Sequence, residues 1–111
     1  MRYGVPIFGS RIAPRCTVAD GMLIVTFHGN RATEKENVAF EQGNWQEILS
    51  VIRRYRVDTI VCGGIARSEK ELLAGQAVAV VENVACTIDE VVAAIIAGCL
   101  RSGPPNFCPV F

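Results

Sequence analysis

The hydrophobic and polar positions of this chain change period several times. Residues 2–8 (Arg-Tyr-Gly-Val-Pro-Ile-Phe) read as a first strand. Pro6 is an objection, because a proline removes a ladder donor from a central strand; a bulge or local irregularity would resolve it. Residues 9–20, with Gly9, Ser10, Pro14 and mixed charges, read as a loop. Residues 22–28 are a β-branched and aromatic run, the pattern of a buried strand. Gly29-Asn30 is a two-residue hairpin signal. Residues 31–40 alternate charged and neutral side chains around Glu34, Lys35 and Glu36, which suits an edge strand guarded by charge.

Beyond residue 44 the period becomes helical. Asn44 and Glu47 make a capping-box-like start, and Trp45, Ile48, Leu49, Ile52 and Tyr55 recur at helical spacing over 45–56. Residues 58–62 form a short buried strand stopped by Gly63-Gly64. Ser68 with Glu71 opens a second helix, which Gly75 closes. Residues 77–81 are another buried strand that could extend to Val84. Thr87 with Glu90 opens a third helix through Leu100, and residues 102–106 break all regular structure.

The order β-β-β-α-β-α-β-α predicts an antiparallel meander followed by two right-handed parallel crossovers. The compact arrangement is a three-layer α/β/α fold. It has a five-stranded mixed sheet in the order 3-2-1-4-5, with three helices on its two faces.

Composition narrows the class. The 111 residues are 50% hydrophobic and 20% charged, which excludes a disordered tail. They predict one domain over 1–101 and a C-terminal tail over 102–111. Eleven basic and eleven acidic residues argue against a nucleic-acid binder. The longest apolar run, Val91 to Ala97, is far short of the ~20 residues that span a bilayer. With no signal peptide legible, the expected compartment is the cytosol.

Five cysteines without a secretion signal point to reduced thiols, and no Cys-x-x-Cys occurs. The topology gives them meaning. Open α/β sheets bind ligands at the carboxyl ends of strands where the chain reverses direction. The loop after the first strand carries Ser10, Arg11, Arg15 and Cys16. The fourth strand ends on Cys62, followed by Gly63, Gly64 and Arg67, and Cys86 follows the fifth.

Three cysteines and three arginines are thus expected at one sheet edge. The glycines would admit a ligand closely, and the cations would favour thiolates, the metal-binding form. Soft thiolates select Cu(I), zinc or iron–sulfur species, so the edge reads as a site for an anionic, sulfur-rich metal species. Beside this stands a plainer reading, in which the cysteines are small core residues and the arginines solvated surface. Cys99 reads as core, and Cys108 lies in the tail with no role assigned.

Catalytic arrangements are poorly served. His28, the single histidine, is expected at the opposite edge, away from the cysteines. The first strand offers no clustered carboxylates, and no Walker-type phosphate loop is present. The chain is not expected to be an enzyme.

Val5-Pro6-Ile7-Phe8-Gly9-Ser10-Arg11-Ile12-Ala13-Pro14-Arg15 resembles the opening of the dinitrogenase iron–molybdenum cofactor biosynthesis family, the NifX-like and NafY-like domains also found fused to NifB. Asp58-Thr59-Ile60-Val61-Cys62-Gly63-Gly64-Ile65 resembles its second landmark, a short strand ending in Gly-Gly. Where many relatives follow the proline of the first motif with His-Phe or Arg-Phe, this chain has Arg15-Cys16. The resemblance implies a ribonuclease H-like fold without nuclease function. It also implies binding or delivery of an iron–sulfur or molybdenum–iron–sulfur cluster in metallocluster biosynthesis, with cluster donor or acceptor proteins as partners. On that reading Cys16, Cys62 and Cys86 are the metal ligands. Ser10, Arg11, Arg15, Gly63, Gly64 and Arg67 line the cofactor site. The alternative is a regulatory or interaction module of the same fold that carries no cofactor.

Overall fold

The alternation along residues 21–28 divides the molecule into two cores. In the computed structural model, which describes residues 1–9, 11–29, 31–82, 84–85, 87–97 and 106–107, this segment is strand β3 (Gly21–His28). Met22 and Ile24 point to one face, with Ile48, Leu49, Val51 and Ile52 of helix α1 (Trp45–Tyr55) and Leu73 of helix α2 (Arg67–Gly75). Leu23, Val25 and Phe27 point to the other, with Val91 and Val92 of helix α3 (Ile88–Ala97). Side chains one residue apart on a strand face opposite ways, so one strand supplies both cores.

The sheet is mixed, as expected, but its strand count and order are corrected. It has six strands rather than five and runs β4-β3-β1-β5-β6, with β2 attached to β1. Here β1 is Arg2–Phe8, β2 Arg11–Ile12, β4 Arg31–Ala39, β5 Thr59–Val61 and β6 Ala79–Val81. The sixth strand arises because the loop after β1 turns back at Gly9 (φ +65°) and pairs Ile12 with Ile7. Two short strands, β7 (Val84–Ala85) and β8 (Asn106–Phe107), pair in parallel, so Asn106, expected to break regular structure, lies in a strand with Phe107.

Pro6 sits inside β1 without a bulge: β1 and β3 pair without interruption from Arg2↔Thr26 to Ile7↔Gly21. The Pro6 carbonyl accepts from the Ala13 amide at 3.0 Å, so its missing N–H faces the β2 side rather than β3. Pairing with β5 ends at Gly4, two residues earlier. The irregularity lies instead between β3 and β4, at Thr26/Phe27.

The helix starts follow their caps. Asn44 Oδ1 accepts from the Glu47 amide at 3.2 Å. α2 is capped at Ala66, two residues before the expected Ser68, because Glu69 Oε1 accepts from the Ala66 amide at 2.9 Å. At α3, Thr87 and Glu90 bond reciprocally, a complete capping box. Residues 98–100, the expected end of this helix, lie outside the described residues.

Candidate functional site

The carboxyl ends of β1, β5 and β6 share one sheet edge, and the chain runs antiparallel on one side of β1 and parallel on the other. There, residues 13–18 lie across the turn that follows β5. Arg15 and Gly64 form a parallel bridge. The Gly64 amide donates to Pro14 O at 2.7 Å, and the Cys16 amide donates to Gly64 O at 2.9 Å. A Cβ at Gly63 would stand 2.7 Å from both Ala13 O and Pro14 O. Gly63 is thus needed for the chain's own backbone to close on itself, and the space beside it is already filled, whereas Gly64 is only tightly approached, by Pro14 O at 3.2 Å.

Cys16 opens a single 3-10 turn, Cys16–Val18, on this crossing segment, and Cys62 directly follows β5. Both are free thiols, with residue exposures of 1% and 0%. Their surroundings are acidic rather than cationic. Burial, with the Glu69 charge behind it, pushes the Cys16 thiol up to about 12. Burial raises Cys62 as well, followed by the charges of Cys16, Glu82 and Glu69, with Lys70 opposing them. Lys70 Nζ donates to Glu82 Oε1 at 2.9 Å, which reduces its pull on the thiol. Both thiols are neutral at physiological pH, contrary to the thiolates expected from neighbouring arginines.

Outside this covered pair lies an open groove of about 440 Å³ lined by Arg15, Thr17, Gly64, Ile65, Ala66 and Glu69. Of the expected site residues, Arg15 and Gly64 line it; Gly63, Cys16 and Cys62 lie behind it. Arg67 turns outward, its side chain 91% exposed, and approaches Glu71 at 3.7 Å. Arg11 is exposed; its backbone bridges to Thr87, and its charge acts on Glu90 at the start of α3. Ser10, Cys86, Cys99 and Cys108 lie outside the described residues. His28 is exposed at the end of β3, on the opposite edge.

Sequence reasoning missed Glu69, Thr17, Ile65 and Ala66. A signal for Glu69 existed, since an acid three residues after Ala66 is a helix-start pattern, but Ser68 with Glu71 gave a competing one. Among the described residues, no group of three or more His, Cys, Asp or Glu is arranged to hold a metal ion. Nor is any described helix long and apolar enough to cross a membrane.

No family model and no curated protein matches the chain. Solved structures share its fold. PH0822 superposes with a TM-score of 0.85 at 20% identity, covering 94% of this chain and 96% of that one. A "putative dinitrogenase" from Methanocaldococcus jannaschii (MJ0327) gives 0.76 at 14% identity, covering 95% and 96%. A "putative NifB protein" from Thermotoga (TM1290), assigned to the DUF35 family, gives 0.72 at 18% identity, covering 91% of each chain. At these identities the likeness establishes a common α/β fold over nearly the whole chain.

Proposed function

We propose that the chain is a non-enzymatic binding or carrier protein for an anionic iron–sulfur or molybdenum–sulfur cluster, acting in metallocluster biosynthesis or delivery. The observation that carries this reading is the convergence of Cys16 and Cys62, 46 positions apart in sequence, behind one groove at the reversal point of the sheet. The names of two structural neighbours, dinitrogenase and NifB, set the same nitrogenase-related theme. The family resemblance of the β1 and β5 segments agrees with it.

In this reading the cluster is cargo. Cys16 and Cys62 supply thiolate ligands, and Arg15 supplies a cation at the mouth of the groove. Two protein thiols are an incomplete set for a four-coordinate metal, which suits cargo that must be handed on to an acceptor protein. Cys86 remains a proposed third ligand.

The burial of both thiols favours a second reading, an interaction module that kept the fold and carries no cofactor. Metal and acid-labile sulfide analysis on protein purified without oxygen, repeated after loading with an iron–sulfur or thiomolybdate source, separates the two. Stoichiometric uptake supports the carrier; absence of uptake under every loading condition supports the cofactor-free module.

A further inference from the structure

The groove and the thiols are separated by a short piece of backbone. Its two ends are anchored: the Ala13 amide donates to Pro6 O at 3.0 Å, and the Asp20 amide donates to Ile7 O at 3.0 Å. Ala13 and Ala19 are buried at 1% and 0% exposure. Between these anchors, Pro14 and Arg15 are exposed and Thr17 and Val18 half-buried, while Cys16 alone is turned inward. Among the described residues, three hydrogen bonds tie the segment to the rest of the molecule. They are the two with Gly64, and one from Gln42 Nε2 to Val18 O at 2.8 Å. The others are local to the 3-10 turn: Val18 N to Arg15 O at 3.1 Å and Ala19 N to Cys16 O at 3.4 Å.

We propose that residues 14–18 are a strap that opens as a unit over the Cys16–Cys62 pair, so that both thiols are closed to ligands and reagents until Gly64 releases it. Short irregular segments with few hydrogen bonds and anchored ends are the parts of a protein that open locally, without global unfolding. The strap carries Cys16 itself and closes on the Gly63-Gly64 turn next to Cys62, whose side chain packs in the core with Ile48, Ile60 and Leu73, so its motion uncovers Cys16 directly and Cys62 on the side that faces Cys16. Glu69, Glu82 and Lys70 face the pair from α2 and the end of β6.

Its purpose rests on the carrier reading, since a gate over a thiol pair protects the empty ligands and controls loading. The opening itself is read without any metal. Native full-length protein is exposed to N-ethylmaleimide, quenched, digested, and the labelled fractions of Cys16 and Cys62 are counted separately by mass spectrometry. Both thiols are expected to label at least 100-fold more slowly than in urea, and within a few-fold of each other.

Gln42→Ala removes only the tie to Val18 O and is expected to speed both rates by about 2- to 10-fold, the range of one hydrogen bond, and to lower the unfolding free energy by no more than that one bond. Gly63→Ala, which drives a methyl against Ala13 O and Pro14 O, is expected to speed both further. Three results overturn the strap: labelling of Cys16 with Cys62 silent, labelling as fast as in urea, or rates that rise with sub-denaturing urea as steeply as global unfolding does. If labelling behaves as expected and no cluster is ever taken up, the strap stands and the carrier reading falls. Cluster uptake by a protein whose thiols label as fast as in urea has the opposite meaning.

Discussion

The Cys16 amide and the Gly64 carbonyl meet at 2.9 Å, and this contact joins the loop after the first strand to the turn after the fifth. The two segments are far apart in sequence and carry both family-like motifs. Their junction is backbone to backbone, so the motif glycines are explained first by packing.

That explanation fixes an order of severity. At Gly63 an added methyl would meet two carbonyl oxygens at 2.7 Å, whereas at Gly64 its nearest neighbour is Pro14 O at 3.2 Å. Gly63→Ala is expected to cost about 1 to 3 kcal/mol, the usual range for overpacking a filled site, and Gly64→Ala less. Urea unfolding of the two variants beside the parent protein checks the order. Equal midpoints for all three would remove the close approach as the reason for Gly63.

Alkaline pH tests the state of the thiols. Cys16 is raised to about 12 in the folded protein, and Cys62 is raised as well. A raised folded value means that the native state holds its protons more tightly than the unfolded chain. The stability contribution is then fully present below the unfolded thiol value, about 8.5, and is lost as pH rises toward the folded one. Unfolding free energy should fall between pH 8.5 and 11, with each thiol adding up to about 1.4 kcal/mol per pH unit to the slope. The Cys16→Ala/Cys62→Ala protein should have a visibly shallower fall over the same window. Parallel curves would mean that the thiols are not held neutral by burial.

At acid pH the informative group is Glu90. Hydrogen bonds from the Thr87 amide and hydroxyl hold its carboxyl below the usual range, and Arg11 adds to this. A lowered folded value contributes stability above the unfolded carboxylate value that is lost as pH falls through the folded one. Thr87→Ala removes the α3 cap and is expected to cost about 1 kcal/mol at pH 7, with a smaller penalty at pH 3. Denaturation at the two pH values checks this. A penalty independent of pH would deny the coupling between cap and carboxylate.

Strand β4 forms an edge of the main sheet with Glu34, Lys35 and Glu36 exposed in succession. A two-fold pairing of β4 with a copy of itself about Lys35 would set Lys35 against Lys35 and Glu34 against Glu36. Like charges directly opposite are unfavourable, so the pattern resists self-pairing. Replacing Glu34, Lys35 and Glu36 together with Thr, Val and Thr is expected to produce concentration-dependent association, read by light scattering. A variant as dispersed as the parent would show that charge is not what guards this edge.

The sequence carried the architecture better than the chemistry. The runs at 22–28, 45–56 and 58–62 were legible because each has one clear period and sharp stop signals. The reversal at β1 followed from their order. Pro6 looked like a defect because the partner on its donor-free side, β2, is only two residues long and sits in a stretch that reads as loop. Topology brought the segments of Cys16 and Cys62 to one edge of the sheet, but their environment was not legible. Arg67 lies near Cys62 in sequence yet turns to solvent, while Glu69, two residues later, faces the thiols; helical phase made that choice, and the cap of α2 was misplaced by two residues. Burial of Cys16 was hidden for a related reason. A polar loop with two exposed neighbours turns one residue inward through a 3-10 turn, and no periodicity announces that.

The most direct test of the account is cluster uptake by the parent protein and by Cys16→Ala, Cys62→Ala and the double variant. All four are loaded anaerobically from the same iron–sulfur or thiomolybdate source and assayed for metal and labile sulfide per chain. The account predicts stoichiometric uptake by the parent, at least tenfold weaker retention in each single variant, and none in the double variant, with all four folded by circular dichroism. Uptake by the double variant equal to the parent's would contradict it, and would return Cys16 and Cys62 to the core as packing residues.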